Sequence, residues 1–141
     1  MNAASAVAVA ATFIWLGMVL AISFLEAPLK FRAPGVTLQV GLGIGRLVFR
    51  ALNTCELVLA AAALIALFAG GRSTGALVAV AVATAMLVGQ LLFVRPALTR
   101  RSDAVLAGAD GPRSHAHLGY VGLEAVKVVA LICAGVLLLT A

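Results

Sequence analysis

The chain has 141 residues, of which 64% are hydrophobic and only 11% charged, and its mean hydropathy of +1.18 is far above that of a soluble domain, where apolar residues are roughly half. Its formal charge of +5 does not point to nucleic acid, because the cations are grouped by connecting segment and no recognition motif or aromatic platform accompanies them. Two cysteines without Cys-x-x-Cys spacing, Cys55 and Cys133, argue against a disulfide enzyme and read as small apolar residues.

A bilayer core of about 30 Å needs roughly 20 apolar residues per helix. Such stretches occur four times, at about 4–25, 51–69, 75–93 and 118–140. The expected fold is all-α: one domain over 1–141, an integral membrane four-helix bundle in the inner (plasma) membrane. The first stretch follows no basic n-region and is longer than a signal h-region, so it reads as a retained span. It closes at "FLEAPLKFRAPG", where Pro28, Pro34 and Gly35 break helical continuity. Thr37 is the expected N-cap of an amphipathic approach to the second span. "GLGIGR" lacks the preceding strand and the spacing of a nucleotide loop. Gly41 with Gly45, and Gly17 with Ala21, are small-xxx-small pairs that let helices approach closely. The second span ends at the tight turn "AGGRSTG", which makes spans two and three antiparallel neighbours. The third is almost purely small and β-branched until Gln90, a composition suited to the inside of a bundle. "RPALTRRSDAVLAGADGPRSHAH" then reads as the longest connection, with Ser114 starting the fourth span. No internal repeat is detected.

The first connection carries Lys30, Arg32 and Arg46, with Arg50 at its edge; the third carries Arg95, Arg100, Arg101 and Arg113; the second carries only Arg72. Retention of positive charge inside places connections one and three in the cytoplasm and both termini outside. The lipid bilayer, with its anionic headgroups, is the first expected partner.

Ionisable groups within apolar helices are costly and mark either a site or a structural ion pair. Glu26, Glu56, Gln90, Glu124 and Lys127 all fall in the cytoplasmic half of their spans, and the outer half has no charge. His117, Tyr120, Glu124 and Lys127 stand at i, i+3, i+7 and i+10, a single helical stripe. In the second span Arg46, Arg50, Asn53 and Leu57 share a stripe with Glu56 beside it. The two stripes are expected to face each other. His115, two residues from His117, points elsewhere and reads as a solvated loop side chain.

Three readings compete. In one, Glu56 or Glu26 pairs with Lys127 or Arg50 and sets helix register. In another, Glu26, Glu56, His117 and Glu124 hold a divalent metal, as carboxylates and imidazoles do in di-metal bundles, although the usual Glu-x-x-His repeats are missing. In the third, a polar pocket open to the cytoplasm takes a small molecule or ion, with Glu56, Glu124 and His117 as acid, base or catalytic groups and Arg50, Asn53, Gln90, Tyr120 and Lys127 as ligand-binding groups.

The succession "WLGMVLAISFLEAPLKF", "GRLVF" and "SHAHLGY" resembles the small four-span bacterial membrane proteins of the copper-resistance-D type. That resemblance implies the fold and a link to metal, and carries no residue roles. Locally, "RALNTCE" is similar to the Arg, Asn and Glu of the second helix in membrane-associated eicosanoid and glutathione metabolism proteins. Asn53 and Glu56 keep the three-residue step, while Arg50 is one residue too close. This likeness implies a pocket for a low-molecular-weight thiol and a trimeric assembly. The leading expectation is therefore a membrane enzyme or detoxification protein acting on a lipophilic or thiol-conjugated substrate. Its alternatives are a proton- or metal-coupled transporter, expected to be a homo-oligomer, and a structural subunit of a membrane complex.

Overall fold

The computed structural model of the protein describes residues 2–70, 73–107 and 115–140, with side chains from residue 118 in the last of these. Four of its helices are long and apolar enough to cross a membrane: Ala3–Arg32, Leu38–Gly70, Thr74–Leu106 and Leu118–Thr140, the fourth beginning its backbone helix at His115. The first helix starts at Asn2, whose side chain accepts from the Ser5 amide at 2.8 Å. It stops where Ala33 turns extended and Gly35 takes a φ of +82°, a left-handed conformation that glycine adopts without a Cβ clash. The second helix starts at the expected cap, with the Val40 amide donating to Thr37 Oγ1 at 3.1 Å. Ser73 caps the third in the same way through the Ala76 amide.

Three helices are longer than their apolar stretches. The first passes through Pro28, which was expected to break it, and ends at Arg32. The second runs from Leu38, so the amphipathic approach and the span are one rod. The third does not end near Phe93 but continues through Arg95 and Pro96 to Leu106, so half of the expected third connection is helix. Proline in a regular helix lacks the amide donor and clashes with the carbonyl four residues back. Here a wider π-helical turn precedes it. Gln90–Val94 are π-helical, and the Arg95 amide donates to the Gln90 carbonyl, five residues back. The first helix does the same before Pro28: Leu20–Glu26 are π-helical and the Ala27 amide reaches the Ile22 carbonyl. Such turns are rare and recur at functional sites.

Each helix packs on its sequence neighbour, and the fourth closes the ring against the first. Packing relies on small residues: Ala8, Ala63, Ala76, Ala83 and Ala134 are fully buried. A Cβ at Gly135 would stand 2.6 Å from Phe13 Cζ, and one at Gly41 would overlap the Phe31 ring. Gly45 backs onto Lys30, whereas Gly17 faces open space and makes no close approach, contrary to its expected role. The third helix, expected inside the bundle, has the smallest buried share of the four.

The two hairpins also repeat each other, which the sequence comparison along the chain did not reveal. At a spacing of 68 positions, buried Ala8, Thr12, Trp15 and Val19 correspond to buried Ala76, Val80, Ala83 and Leu87. Pro28 then corresponds to Pro96, Leu52 to Tyr120, and Glu56 to Glu124. The bundle is charged inside and apolar outside: Lys127 is fully buried, while Phe93, Phe68 and Leu47 are at least 70% exposed.

Candidate functional site

Glu56, Glu124, Lys127 and Gln90 meet between the four helices, each at most 1% exposed. The Lys127 ammonium lies 2.5 Å from Glu56 Oε1 and 2.5 Å from Glu124 Oε1, and it donates to Gln90 Oε1 at 2.9 Å. An ammonium has three N–H groups, so its donors are fully used. The Gln90 amide nitrogen donates to Glu124 Oε1 at 3.2 Å and to the Tyr120 carbonyl at 3.3 Å. This fixes which way round the amide sits, with oxygen toward the cation and nitrogen toward the carboxylate. The first helix contributes Trp15, whose indole N–H donates to Glu56 Oε1 at 2.9 Å, and Ser23, whose hydroxyl donates to Glu124 Oε2 at 2.5 Å. All four helices thus grip one cluster.

Local structure explains the placement. Glu124 and Lys127 are one turn apart, three residues along, and project from one face of the fourth helix. Gln90 opens the π turn of the third helix, and Ser23 lies within that of the first. Both residues that grasp Glu124 from neighbouring helices therefore come from the widened turns required by Pro96 and Pro28.

The charge count does not cancel. Two carboxylates and one ammonium leave one negative charge in surplus, and Glu56 Oε2 is buried without a hydrogen-bond partner. Three further buried polar groups stand nearby in the same condition: both amide atoms of Asn53, one turn before Glu56, and the hydroxyl of Tyr120, one turn before Glu124.

Of the expected site residues, Glu56, Gln90, Glu124 and Lys127 come together, and Asn53 and Tyr120 lie buried beside them. Arg50 does not join them; it is exposed, as is Leu57, because the inward face of the second helix follows Leu52, Asn53 and Glu56. The Arg, Asn and Glu of "RALNTCE" hence do not converge on one pocket. Glu26 also stands apart, paired along its own helix with Lys30 at 3.8 Å. The side chain of His117 lies outside the described residues. Among the described residues no group of three or more His, Cys, Asp or Glu is placed to hold a metal; Glu56 and Glu124 meet the Lys127 ammonium instead, and Glu26 stands apart. Cys55 and Cys133 are exposed on the outside of the bundle.

Trp15 and Ser23 were not expected in the site. Their signal was present, since a lone Trp buried in an apolar helix needs an acceptor for its N–H, and Trp15, Ser23 and Glu26 stand at i, i+8 and i+11 on one stripe.

Fold and site together define an all-helical bundle with an apolar exterior and a sealed, charge-unbalanced acid–lysine cluster at its centre. Comparison with protein-family models, curated proteins and solved structures finds no match, so the geometry alone carries the functional argument.

Proposed function

We propose that the protein is a multi-pass membrane protein that binds and releases a proton at the Glu56–Lys127–Glu124 cluster, acting as a small proton-coupled transporter. The observation that carries this reading is the count of two carboxyls to one ammonium in a fully buried site. A surplus charge away from water is expensive, and a proton shared by the carboxyls removes it. Loss of that proton restores the charge and favours a state in which the cluster is hydrated or regrouped. Proton binding is thereby linked to a change in how the helices meet, because every helix holds the cluster.

The repeat supports the same reading. Transporters built from two like halves place their coupling groups where the halves meet, and Glu56 and Glu124 are counterparts facing each other across that junction. The enzyme reading gains less from the geometry, since Lys127, Gln90 and Glu124 spend their hydrogen-bonding groups on one another. By the distribution of Lys and Arg, the cluster lies in the inner half of the plasma membrane, with the termini outside.

Infrared difference spectroscopy of the purified protein against pH tests this. A protonated-carboxyl stretch should titrate in the wild type and disappear in either Glu56→Gln or Glu124→Gln. In liposomes, an imposed pH gradient should drive proton uptake that both variants lose. A cluster with no titrating carboxyl over the whole range of stability would instead be a static clamp.

A further inference from the structure

Asn53 is 3% exposed, Tyr120 9% and Glu56 0%, yet neither amide atom of Asn53, nor the Tyr120 hydroxyl, nor Glu56 Oε2 has a hydrogen-bond partner. Unpaired polar groups are rare in protein interiors, and several in one place indicate something bound. The three side chains share one region. Asn53 and Glu56 are one turn apart on the second helix, and the Tyr120 ring meets Phe49 edge-on at 5.8 Å, Phe49 being one turn before Asn53. The mixture of one N–H₂ donor, one hydroxyl and two kinds of acceptor suits water, which both donates and accepts. A metal cation fits less well, because it would leave the Asn53 amide nitrogen without an acceptor and sit close to the Lys127 ammonium.

Phe49 also meets charged groups. The Lys30 ammonium lies 5.8 Å from the Phe49 ring centroid and pairs with Glu26, whose side chain is 37% exposed. Arg95 donates to the Phe49 carbonyl at 3.4 Å. Phe49 thus touches both Tyr120, beside the buried polar region that ends at Glu56, and Lys30, whose partner Glu26 is partly exposed although the paired oxygen is buried. Among the described residues, the charged or titratable groups around this line are Glu26 and Lys30 from the first helix, Glu56 from the second, Arg95 from the third, and Tyr120, Glu124 and Lys127 from the fourth.

We infer that Asn53, Tyr120 and the free oxygen of Glu56 hold bound water that forms the proton's route to the cluster, with the Phe49 ring as its gate toward Glu26 and Lys30. The inference rests on the proton-binding reading above and adds the path that the proton follows. Water passes a proton along a chain of hydrogen bonds, so the Tyr120 hydroxyl and the Asn53 amide need only hold it in line. The gate keeps that water separate from bulk while the ring is in place.

The test is the rate at which the buried carboxyl exchanges its proton for deuterium, followed by infrared spectroscopy on the full-length protein in liposomes. Tyr120→Phe, which keeps the ring and removes only the hydroxyl, and Asn53→Leu should each slow exchange about tenfold, the effect of a barrier raised by about 1.4 kcal/mol. Phe49→Ala should accelerate it by a similar factor. Thermal unfolding identifies variants that fail to fold, and Tyr120→Phe, as the mildest change, carries the test if Asn53→Leu does not fold. Unchanged rates in folded variants overturn the route while leaving proton binding intact. A wild-type protein without any titrating carboxyl overturns the proton-binding reading and the route with it.

Discussion

Replacing Glu56 by Gln and replacing Lys127 by Met each remove one charge, but they leave different interiors. Glu56→Gln leaves Lys127 facing Glu124 alone, a balanced pair at 2.5 Å. Lys127→Met leaves two buried carboxyls facing each other with no cation, and breaking a buried ion pair from one side costs about 3–5 kcal/mol. We expect Lys127→Met to lose that much stability in detergent and Glu56→Gln to lose clearly less. In the double variant the loss should fall short of the sum. Equal losses for the two single variants would contradict the charge count. At this scale much of the site was legible: the stripe of Tyr120, Glu124 and Lys127, the depth of Glu56 and the lone Gln90 all pointed to one cluster. Spacing alone puts Arg50 on one stripe with Asn53, but burial does not follow that stripe. The true inward face includes Leu52 and turns Arg50 outward. Ser23 was not noticed because a single serine in a membrane-length helix is ordinary, and only the π turn that carries it aims it at Glu124.

At the scale of the element, prolines that usually end helices here sit inside them. Pro96 stands near the start of a segment that reads from sequence as a connection, and proline in a regular helix lacks an amide donor and clashes with the preceding turn. The chain instead absorbs both defects in a π turn, and in doing so places Gln90 against Lys127 and Glu124. Replacing a helix-interior proline by alanine normally stabilises, by up to about 3 kcal/mol on propensity alone. For Pro96→Ala we expect little or no gain in thermal stability, because a return to regular α-helix would rotate Gln90 out of register with the cluster. The infrared signature of the carboxyl should shift as well. A large stabilisation with an unchanged carboxyl signal would show that the π turn does not position the site. Helix number and approximate centres were readable from hydropathy, whereas the ends were not, since the residues beyond the apolar stretches are held by packing such as the Arg46–Asp103 ion pair at 2.7 Å rather than by hydrophobicity.

For the whole molecule, the orientation proposed from the grouping of cations is open to direct measurement. With Cys55 and Cys133 replaced by Ser, a cysteine at exposed Thr74 should react with an impermeant reagent on intact cells, while one at exposed Arg100 should react only after the membrane is opened. The reverse pattern would invert the bundle. The repeat of the two hairpins escaped sequence reading because few residues coincide at the spacing of 68. What recurs is the order of parts: four buried positions, a proline bend, then an acid on the next helix.

The position of Lys127 in that repeat also bears on how the two halves are joined. Leu59 stands at its counterpart position, so the first hairpin carries the acid Glu56 without a cation three residues after it. Within the first two helices Glu56 accepts a hydrogen bond from the Trp15 indole N–H, but its cationic partner Lys127 belongs to the last helix. The last helix thus brings the side chain that joins the two acids.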